Sequence, residues 1–207
     1  MLAAAAAVTA VLAAPASASR QGCINRAKST PVIVDSSNKA IVLEISGKLY
    51  GCSYDRERLN ELPDQGRGSH IEAKRLRVTG RYAAYPLKTG GDRYIYSVGL
   101  RAGHTLGSSR GSGVGTDIRL DKLVMRANGS IAWAITYPAS DPTDERAWTA
   151  VWRIDHTGRE RLDIDTDSVH GRQHRIVPSS LRLGHFGDDW FVSWQRSQEA
   201  PKRAPIN

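Results

Sequence analysis

The chain has 207 residues, of which 29 are basic and 21 are acidic, so its formal net charge is +8. This length suffices for one domain with a hydrophobic core and is short for two domains once a leader is removed. A basic surface favours anionic partners, but the arginines are scattered singly and no recognised nucleic-acid motif is present, so we expect a solvated basic surface and no nucleic-acid partner.

The N-terminus is predicted to be a signal peptide. Residues 1–14 are small and apolar, and Ala16-Ser17-Ala18 provides the pattern that signal peptidase cleaves, so residues 1–18 form the leader and 19–207 a single domain. The apolar run is shorter than the about 20 residues that a bilayer span needs. We therefore expect a protein that does not span the membrane and is secreted or associated with the cell envelope.

The two cysteines, Cys23 and Cys52, fit an oxidising compartment. An even number of exported thiols can pair completely, so we expect one disulfide between the mature N-terminus and the first hairpin. Neither cysteine has a nearby histidine or a second cysteine at metal-binding spacing, which argues against a catalytic or metal role.

Repeated hairpins follow in chain order. Turn glycines Gly47, Gly80 and Gly129 each have apolar residues four and two positions before them and two after, and a fourth hairpin has a longer turn at 184–189. The repeats predict four units: 31–66, 72–108, 121–167 and 176–207. The third unit reads as a four-stranded sheet with a type I′ turn at Asn128-Gly129. The first and fourth units read as incomplete, the fourth with two strands.

The predicted fold is all-β, with antiparallel hairpin repeats in a partial or small propeller-like arrangement; a β-sandwich is the alternative. A propeller normally has at least four blades and a closed ring. Either the N-terminal strand at 31–34 completes the last unit, or the ring stays open and its sheet edges are covered by a partner or a second copy of the chain.

Two late segments carry a resemblance to known proteins. Together with the Leu-x-Leu or Leu-x-Val hairpins, Val177-Pro178-Ser179-Ser180-Leu181-Arg182-Leu183 and Asp189-Trp190-Phe191-Val192-Ser193-Trp194 resemble uncharacterised secreted β-propeller-like proteins of high-GC bacteria. The resemblance covers most of residues 40–207. It implies the fold and carries no site residues.

Candidate metal ligands lie in one stretch of the third unit and the segment after it. Asp163, Asp165 and Asp167 alternate as calcium ligands do, but the positions that would hold Gly and Glu in a calcium loop are Ser168 and His174. His170 and His174 are four apart, but Gly171 and Pro178 favour a loop over the helix that a zinc pair needs. A polar strand face and solvated loop histidines are therefore the preferred interpretations, so we predict no cofactor, with calcium as the secondary hypothesis.

Two further features have a structural and a functional interpretation. The glycine-rich segment 107–115 is a flexible connection or, less favoured, an anion-binding loop. Six aromatic residues alternate along strands, which favours core packing over a stacking platform for sugars: Tyr94, Tyr96, Trp148, Trp152, Trp190 and Trp194.

No catalytic motif is present, so the sequence predicts an exported binding or interaction module of the cell envelope or extracellular space. Its partner would be a protein or an anionic envelope polymer. The alternative is an extracellular hydrolase or lyase acting on glycans, whose carboxylates, such as Asp163 and Asp165, converge only in three dimensions.

Overall fold

The structure is a computed structural model that describes residues 19–90, 92–111, 118–137, 147–165 and 175–207. In these residues the chain forms one α-helix, one short 3-10 helix and sixteen β-strands. The strands make four antiparallel sheets, so the predicted all-β class with antiparallel hairpin repeats is confirmed. The predicted signal peptide, residues 1–18, lies outside the described residues.

Each sheet is built from strands that are consecutive in the chain. The first sheet contains Val32–Ser36 (β1), Ala40–Ile45 (β2), Lys48–Ser53 (β3) and Arg58–Glu61 (β4). The second contains Ser69–Ile71 (β5), Arg77–Thr79 (β6), Tyr82–Thr89 (β7), Asp92–Gly99 (β8) and His104–Gly111 (β9), with the 3-10 helix Ala73–Arg75 between β5 and β6. The third contains Arg119–Met125 (β10), Ile131–Tyr137 (β11), Trp148–Asp155 (β12) and Gly158–Asp165 (β13). The fourth contains Ile176–Phe186 (β14), Asp189–Arg196 (β15) and Lys202–Pro205 (β16).

The first and fourth units are more complete than the sequence predicted. The N-terminal strand β1 pairs with β2, with Val32 opposite Glu44, and therefore belongs to the first sheet and does not extend the fourth. The fourth sheet gains a third strand because β16 pairs with β15, with Val192 opposite Ala204. The repeated turn does not occupy the same place in each sheet. The turn at Gly47 joins β2 to β3, and the turn at Gly80 joins β6 to β7. Only in the third sheet, where Gly129 lies between β10 and β11, does it join the first two strands.

The turn at Asn128-Gly129 is not the predicted type I′. Gly129 has a φ of +94°, but Asn128 is not among the residues with positive φ. Instead the Arg126 amide donates to the Ser130 carbonyl at 2.9 Å, and the Asn128 side chain accepts from the Ser130 amide at 3.1 Å. The asparagine side chain thus stabilises a longer turn of Asx type. Two consecutive positive φ angles occur at Ser46 and Gly47 (52° and 77°).

The four sheets pack face to face in chain order. A hydrophobic cluster lies between each pair of neighbours, centred on Val42, Tyr85 and Leu87 for the first and second sheets, on Ile95, Ile131 and Trp133 for the second and third, and on Ala134, Leu181 and Trp194 for the third and fourth. The six alternating aromatic residues all contribute to these clusters, with Tyr96 and Trp194 buried and the other four partly buried. Core packing is therefore their observed role.

The outer face of the first sheet is covered by the helix Arg20–Asn25 (α1). Ser19 caps this helix by accepting from the Gly22 amide at 3.0 Å. The predicted disulfide between Cys23 and Cys52 is present, and both cysteines are fully buried with Ile41 and Leu43. The bridge ties the helix to β3, so this end of the array is closed.

The first strands of neighbouring units lie together, as the inner strands of propeller blades do. Strand β1 contacts β6, and β10 contacts β14. In the described part of the chain, no hydrophobic cluster contains residues of both the first and the fourth sheets. These residues therefore form an open series of four sheets.

Candidate binding cleft

A cleft of about 620 Å³ opens where the turn ends of the third and fourth sheets meet; we call it the binding cleft. The β10–β11 turn contributes Arg126, and the start of β15 contributes Trp190 and Phe191. Strand β16 contributes Arg203. The cleft therefore depends on the packing of two sheets and on the third strand of the fourth sheet, which pattern reasoning did not predict.

Two arginines in the binding cleft lie over aromatic rings. The Arg126 guanidinium carbon is 4.8 Å from the Trp190 ring centre, and that of Arg203 is 4.8 Å from the Phe191 ring centre. Each pair is a cation–π contact, which holds a planar cation in a defined orientation. Because successive strand residues point to opposite faces, the two pairs lie on either side of the fourth sheet.

Gly184 makes room for one of these pairs. It lies opposite Phe191 in the β14–β15 ladder, and a Cβ atom at this position would be 2.5 Å from Cζ of the phenylalanine. A larger residue at position 184 would displace the ring.

Arg126 also fixes the last residues of the chain. Its guanidinium donates to the carbonyl of Ile206, and the Ser130 hydroxyl donates to the carbonyl of Asn207. Burial lowers the pKa of Arg126, while the carboxylate of Asp155 acts in the opposite direction. An arginine remains protonated under all ordinary conditions, so the cleft contains a partly desolvated cation.

Carboxylates are also present in the binding cleft. Asp188 and Asp189 are adjacent on the β14–β15 turn, and both are exposed. His185 lies close by, with its ring 5.2 Å from that of Trp190. The cleft thus has cations along its aromatic wall and carboxylates on one turn.

The face of the fourth sheet that points away from the third is continuous with the cleft; we call it the free face. It presents Phe186 and Phe191, the only two phenylalanines of the chain, and the basic residues Arg182 and Arg203. Phe186 is 84% exposed. Within the described residues, no hydrophobic cluster covers this face, whereas every interface between neighbouring sheets and the outer face of the first sheet have one.

Asp163 lies outside the cleft and has structural partners. Its carboxylate accepts from Arg196 Nη2 at 2.7 Å and from Trp194 Nε1 at 2.7 Å, and Lys202 Nζ is 3.5 Å away. Burial alone would raise the pKa of Asp163, but the hydrogen bonds from Arg196 and Trp194 outweigh burial and lower the pKa. The side chain is therefore part of a buried ion pair.

Asp165 has a different environment two residues later. Its carboxylate accepts from the backbone amide of Thr149 and from that of Ile176, the latter at 2.7 Å. Burial raises the pKa of Asp165 more than these hydrogen bonds lower it. The side chain joins the start of β14 to the third sheet.

The other predicted ligands, Asp167, His170 and His174, lie outside the described residues. In the part of the chain that the structure describes, no group of three or more His, Cys, Asp or Glu side chains could hold a metal ion.

Part of the glycine-rich segment forms a strand. Residues 107–111 belong to β9 and pair with β8, with Gly107 opposite Ser97 and Gly111 opposite Arg93. A flexible connection was predicted here, and for these residues that prediction is wrong. The rest of the segment, 112–115, lies outside the described residues.

Comparisons with known proteins identify no family. No protein-family model and no curated protein matches the chain. Among solved structures, a chain of Kuenenia stuttgartiensis hydrazine synthase is 14% identical with a TM-score of 0.45, over 74% of this chain and 46% of that one. A chain of a mitotic checkpoint complex is 11% identical with a TM-score of 0.21, over 84% and 79% of the two chains. This chain thus spans less than half of the hydrazine synthase chain, and neither similarity bears on function.

Proposed function

We propose that the protein is an extracytoplasmic interaction module that binds an acidic protein partner through the free face and the binding cleft. The observation that carries the proposal is the open fourth sheet, which exposes Phe186 on the same face as Arg203 stacked on Phe191, next to the cleft that holds Arg126 on Trp190. The Cys23–Cys52 disulfide supports a place outside the cytoplasm. None of the described helices is long and apolar enough to cross a membrane.

The composition of the free face supports protein recognition. Binding energy at protein interfaces is concentrated in a few tryptophan, tyrosine and arginine side chains, and aromatic residues are enriched at interface cores. The free face and the cleft combine Trp190, Phe186 and Phe191 with Arg126 and Arg203. The arginines are held by ring stacking before a partner arrives, so binding orders fewer side chains.

The charge of the free face supports an acidic partner over a second copy of the chain. Arg182 and Arg203 point away from the third sheet, and the carboxylates of Asp188 and Asp189 lie at one end. Two copies whose twofold axis passed between Arg182 and Arg203 would bring arginines against arginines. A partner with an apolar side chain against Phe186 and carboxylates against Arg182 and Arg203 would complement this face.

Glycan hydrolysis or cleavage is the second function to consider, because Asp188 and Asp189 line the cleft. Glycosidases place two carboxylates on opposite sides of the scissile bond, about 5–10 Å apart. Here the two carboxylates follow each other on one turn, and Asp163 and Asp165 are engaged elsewhere. This arrangement supports binding over catalysis.

Site-specific photo-crosslinking tests the proposal. The mature protein would carry p-benzoylphenylalanine in place of Phe186, or in place of the exposed Arg56 in the first sheet as a control, and would be irradiated with envelope fractions of the producing organism. We expect one discrete protein adduct from position 186 that disappears with Arg203→Glu and persists with Arg56→Glu.

Two outcomes would contradict the proposal: the same adducts from both positions, or no adduct from position 186. A self-adduct of twice the chain mass would show that the free face binds a second copy of the chain and not a different protein. Release of reducing ends from envelope glycans that Asp188→Asn abolishes would favour the enzyme instead.

A further inference from the structure

A second surface, independent of the binding cleft, extends from the β2–β3 turn of the first sheet to strands β6 and β10 of the second and third sheets. Three cavities follow one another around the 3-10 helix, with volumes of about 170, 380 and 130 Å³. The first two share His70, Ile71 and Ala73 in their walls, and the last two share Arg75. Shared walls make the cavities neighbours, and we call the series the inner groove.

One end of the inner groove has an excess of positive charge. The smallest cavity is lined by Arg75, Arg77 and Lys122, and its one carboxylate, Asp121, is already engaged. Asp121 accepts from Arg119 Nε and from the Thr136 hydroxyl, both at 2.6 Å.

Two other carboxylates close to this end also have partners: Asp35 accepts from the amide of Val78 at 2.8 Å, and Glu72 is engaged by two arginines. Glu72 accepts from the buried guanidinium of Arg93, and Arg75 lies 3.4 Å away. The cations of this end therefore exceed the acidic charge that could neutralise them, which favours an anionic ligand.

The backbone holds Arg77 in place. Its Nη1 donates to the carbonyls of Leu76 at 2.7 Å and Lys74 at 3.4 Å, which are one and three residues earlier. Arg182 in the fourth sheet makes the same two contacts, to Leu181 and Ser179. The repeated geometry shows that the strand itself orients this arginine, so an anion meets a cation that is already positioned.

The middle of the inner groove is mainly apolar, and its one aromatic ring is the imidazole of His70. Ile71, Ala73 and the aliphatic stem of Lys74 line the 380 Å³ cavity, together with His70. Proteins that bind single-stranded nucleic acid stack successive bases on several aromatic side chains, and this lining offers a single imidazole. The apolar stretch beside a cationic end instead suits a sugar ring next to a charged substituent.

From these observations we infer that the inner groove binds a linear anionic glycan, with a phosphate or carboxylate substituent at Arg75, Arg77 and Lys122. The cationic cavity of about 130 Å³ accommodates one such group, and the neighbouring cavities accommodate the adjoining sugars. The inference goes beyond the proposed partner protein, since the two surfaces share no residue.

Binding to defined polymers tests this inference. The probes are polygalacturonate for carboxylate, poly(glycerol phosphate) for phosphate, inorganic phosphate as a monomer and single-stranded DNA. The test variant is Arg77→Glu with Lys122→Glu; the control, Lys39→Glu with Arg56→Glu, changes the net charge equally on the exposed surface of the first sheet. Arg77→Gln with Lys122→Gln repeats the test without introducing negative charge.

For the preferred polymer we expect at least about a tenfold loss of affinity in the groove variants and less than about a twofold loss in the control. The slope of log K against log salt should fall by about one for each groove cation removed. Preference for polygalacturonate or for poly(glycerol phosphate) identifies the substituent.

The inference is overturned if the groove and control variants lose affinity equally, if neither glycan binds, if inorganic phosphate binds as tightly as the polymers, or if DNA binds more tightly than both. Arg203→Glu should leave glycan binding unchanged, and the groove variants should leave the photo-adduct unchanged, so each proposal can fail without the other.

Discussion

Replacing Asp163 by alanine should destabilise the protein by about 3–5 kcal/mol, because it leaves a buried guanidinium without its carboxylate. Arg196 is 1% exposed and donates to Asp163 through Nε at 3.1 Å and through Nη2 at 2.7 Å. The side chain of Asp163 is only 10% exposed, so water cannot replace the lost partner. With a urea dependence of roughly 2.5 kcal/mol per M, the unfolding midpoint should fall by about 1–2 M.

A surface ion pair provides the matched control. Lys48 and Glu61 are 2.8 Å apart, but their side chains are 51% and 42% exposed, so Glu61→Ala should cost less than about 1 kcal/mol. The double variant Asp163→Leu with Arg196→Met removes both buried charges and should be more stable than Asp163→Ala alone. If Asp163→Ala costs no more than Glu61→Ala, burial of the pair does not determine its contribution.

Lowering the pH should remove the stability that the ion pair between Asp163 and Arg196 provides. The pKa of Asp163 is lower in the folded protein than in the unfolded chain, where it is about 3.9. The stability that wild type has over Asp163→Asn should therefore be complete above the unfolded pKa and should disappear as the pH falls through the folded pKa. Urea titrations across this range measure it, and a difference that grows on acidification would refute the argument.

Three further outcomes are expected. Reducing the disulfide of Cys23, which closes a loop with a sequence separation of 29, should lower the free energy of unfolding by about 3–4 kcal/mol, measured by urea titration with and without reductant. In a carboxyl NMR titration the pKa of Asp165 should lie above the ordinary value, whereas that of Asp163 should lie below it. Because the folded-state pKa of Asp165 is raised, its ionisation should reduce the stability of the protein as the pH rises. Gly51→Ala should cost about 1–3 kcal/mol because the new methyl group meets the buried Leu100, whereas Gly66→Ala, with open space around it, should cost almost nothing; equal thermal midpoints would contradict this.

Local patterns were sufficient to predict the hairpins at Gly47, Gly80 and Gly129 and the strands of the third sheet. Alternation along Trp148 to Ile154 and the turn glycines predicted hairpins that the structure contains, because period-2 burial is a property of each strand alone. The third strand of the fourth sheet was missed because Lys202-Arg203-Ala204-Pro205 has no apolar alternation. It is held by pairing with β15 and by distant groups such as Arg153, which donates to the Pro205 carbonyl.

The binding cleft could not be predicted from the sequence, because its residues are brought together only by the packing of two sheets. Arg126, Trp190 and Arg203 come from one turn and two strands of two sheets, and no sequence spacing relates them. One signal was available: Trp190 and Phe191 are adjacent, so one ring must point to each face of β15. A strand with bulky aromatic residues on both faces either lies between two layers or exposes one ring.

The helix and disulfide that cover the first sheet come from residues that precede the rest of the domain in the chain. Every strand of that sheet precedes Leu62, and its outer face needs only α1 and the Cys23–Cys52 bridge. A chain that enters an oxidising compartment N-terminus first can therefore finish this end while later residues are still being translocated. If the protein is exported as proposed, each following sheet would dock on a surface that is already formed, and oxidation of Cys23 and Cys52 would be the slow chemical step in completing the first sheet.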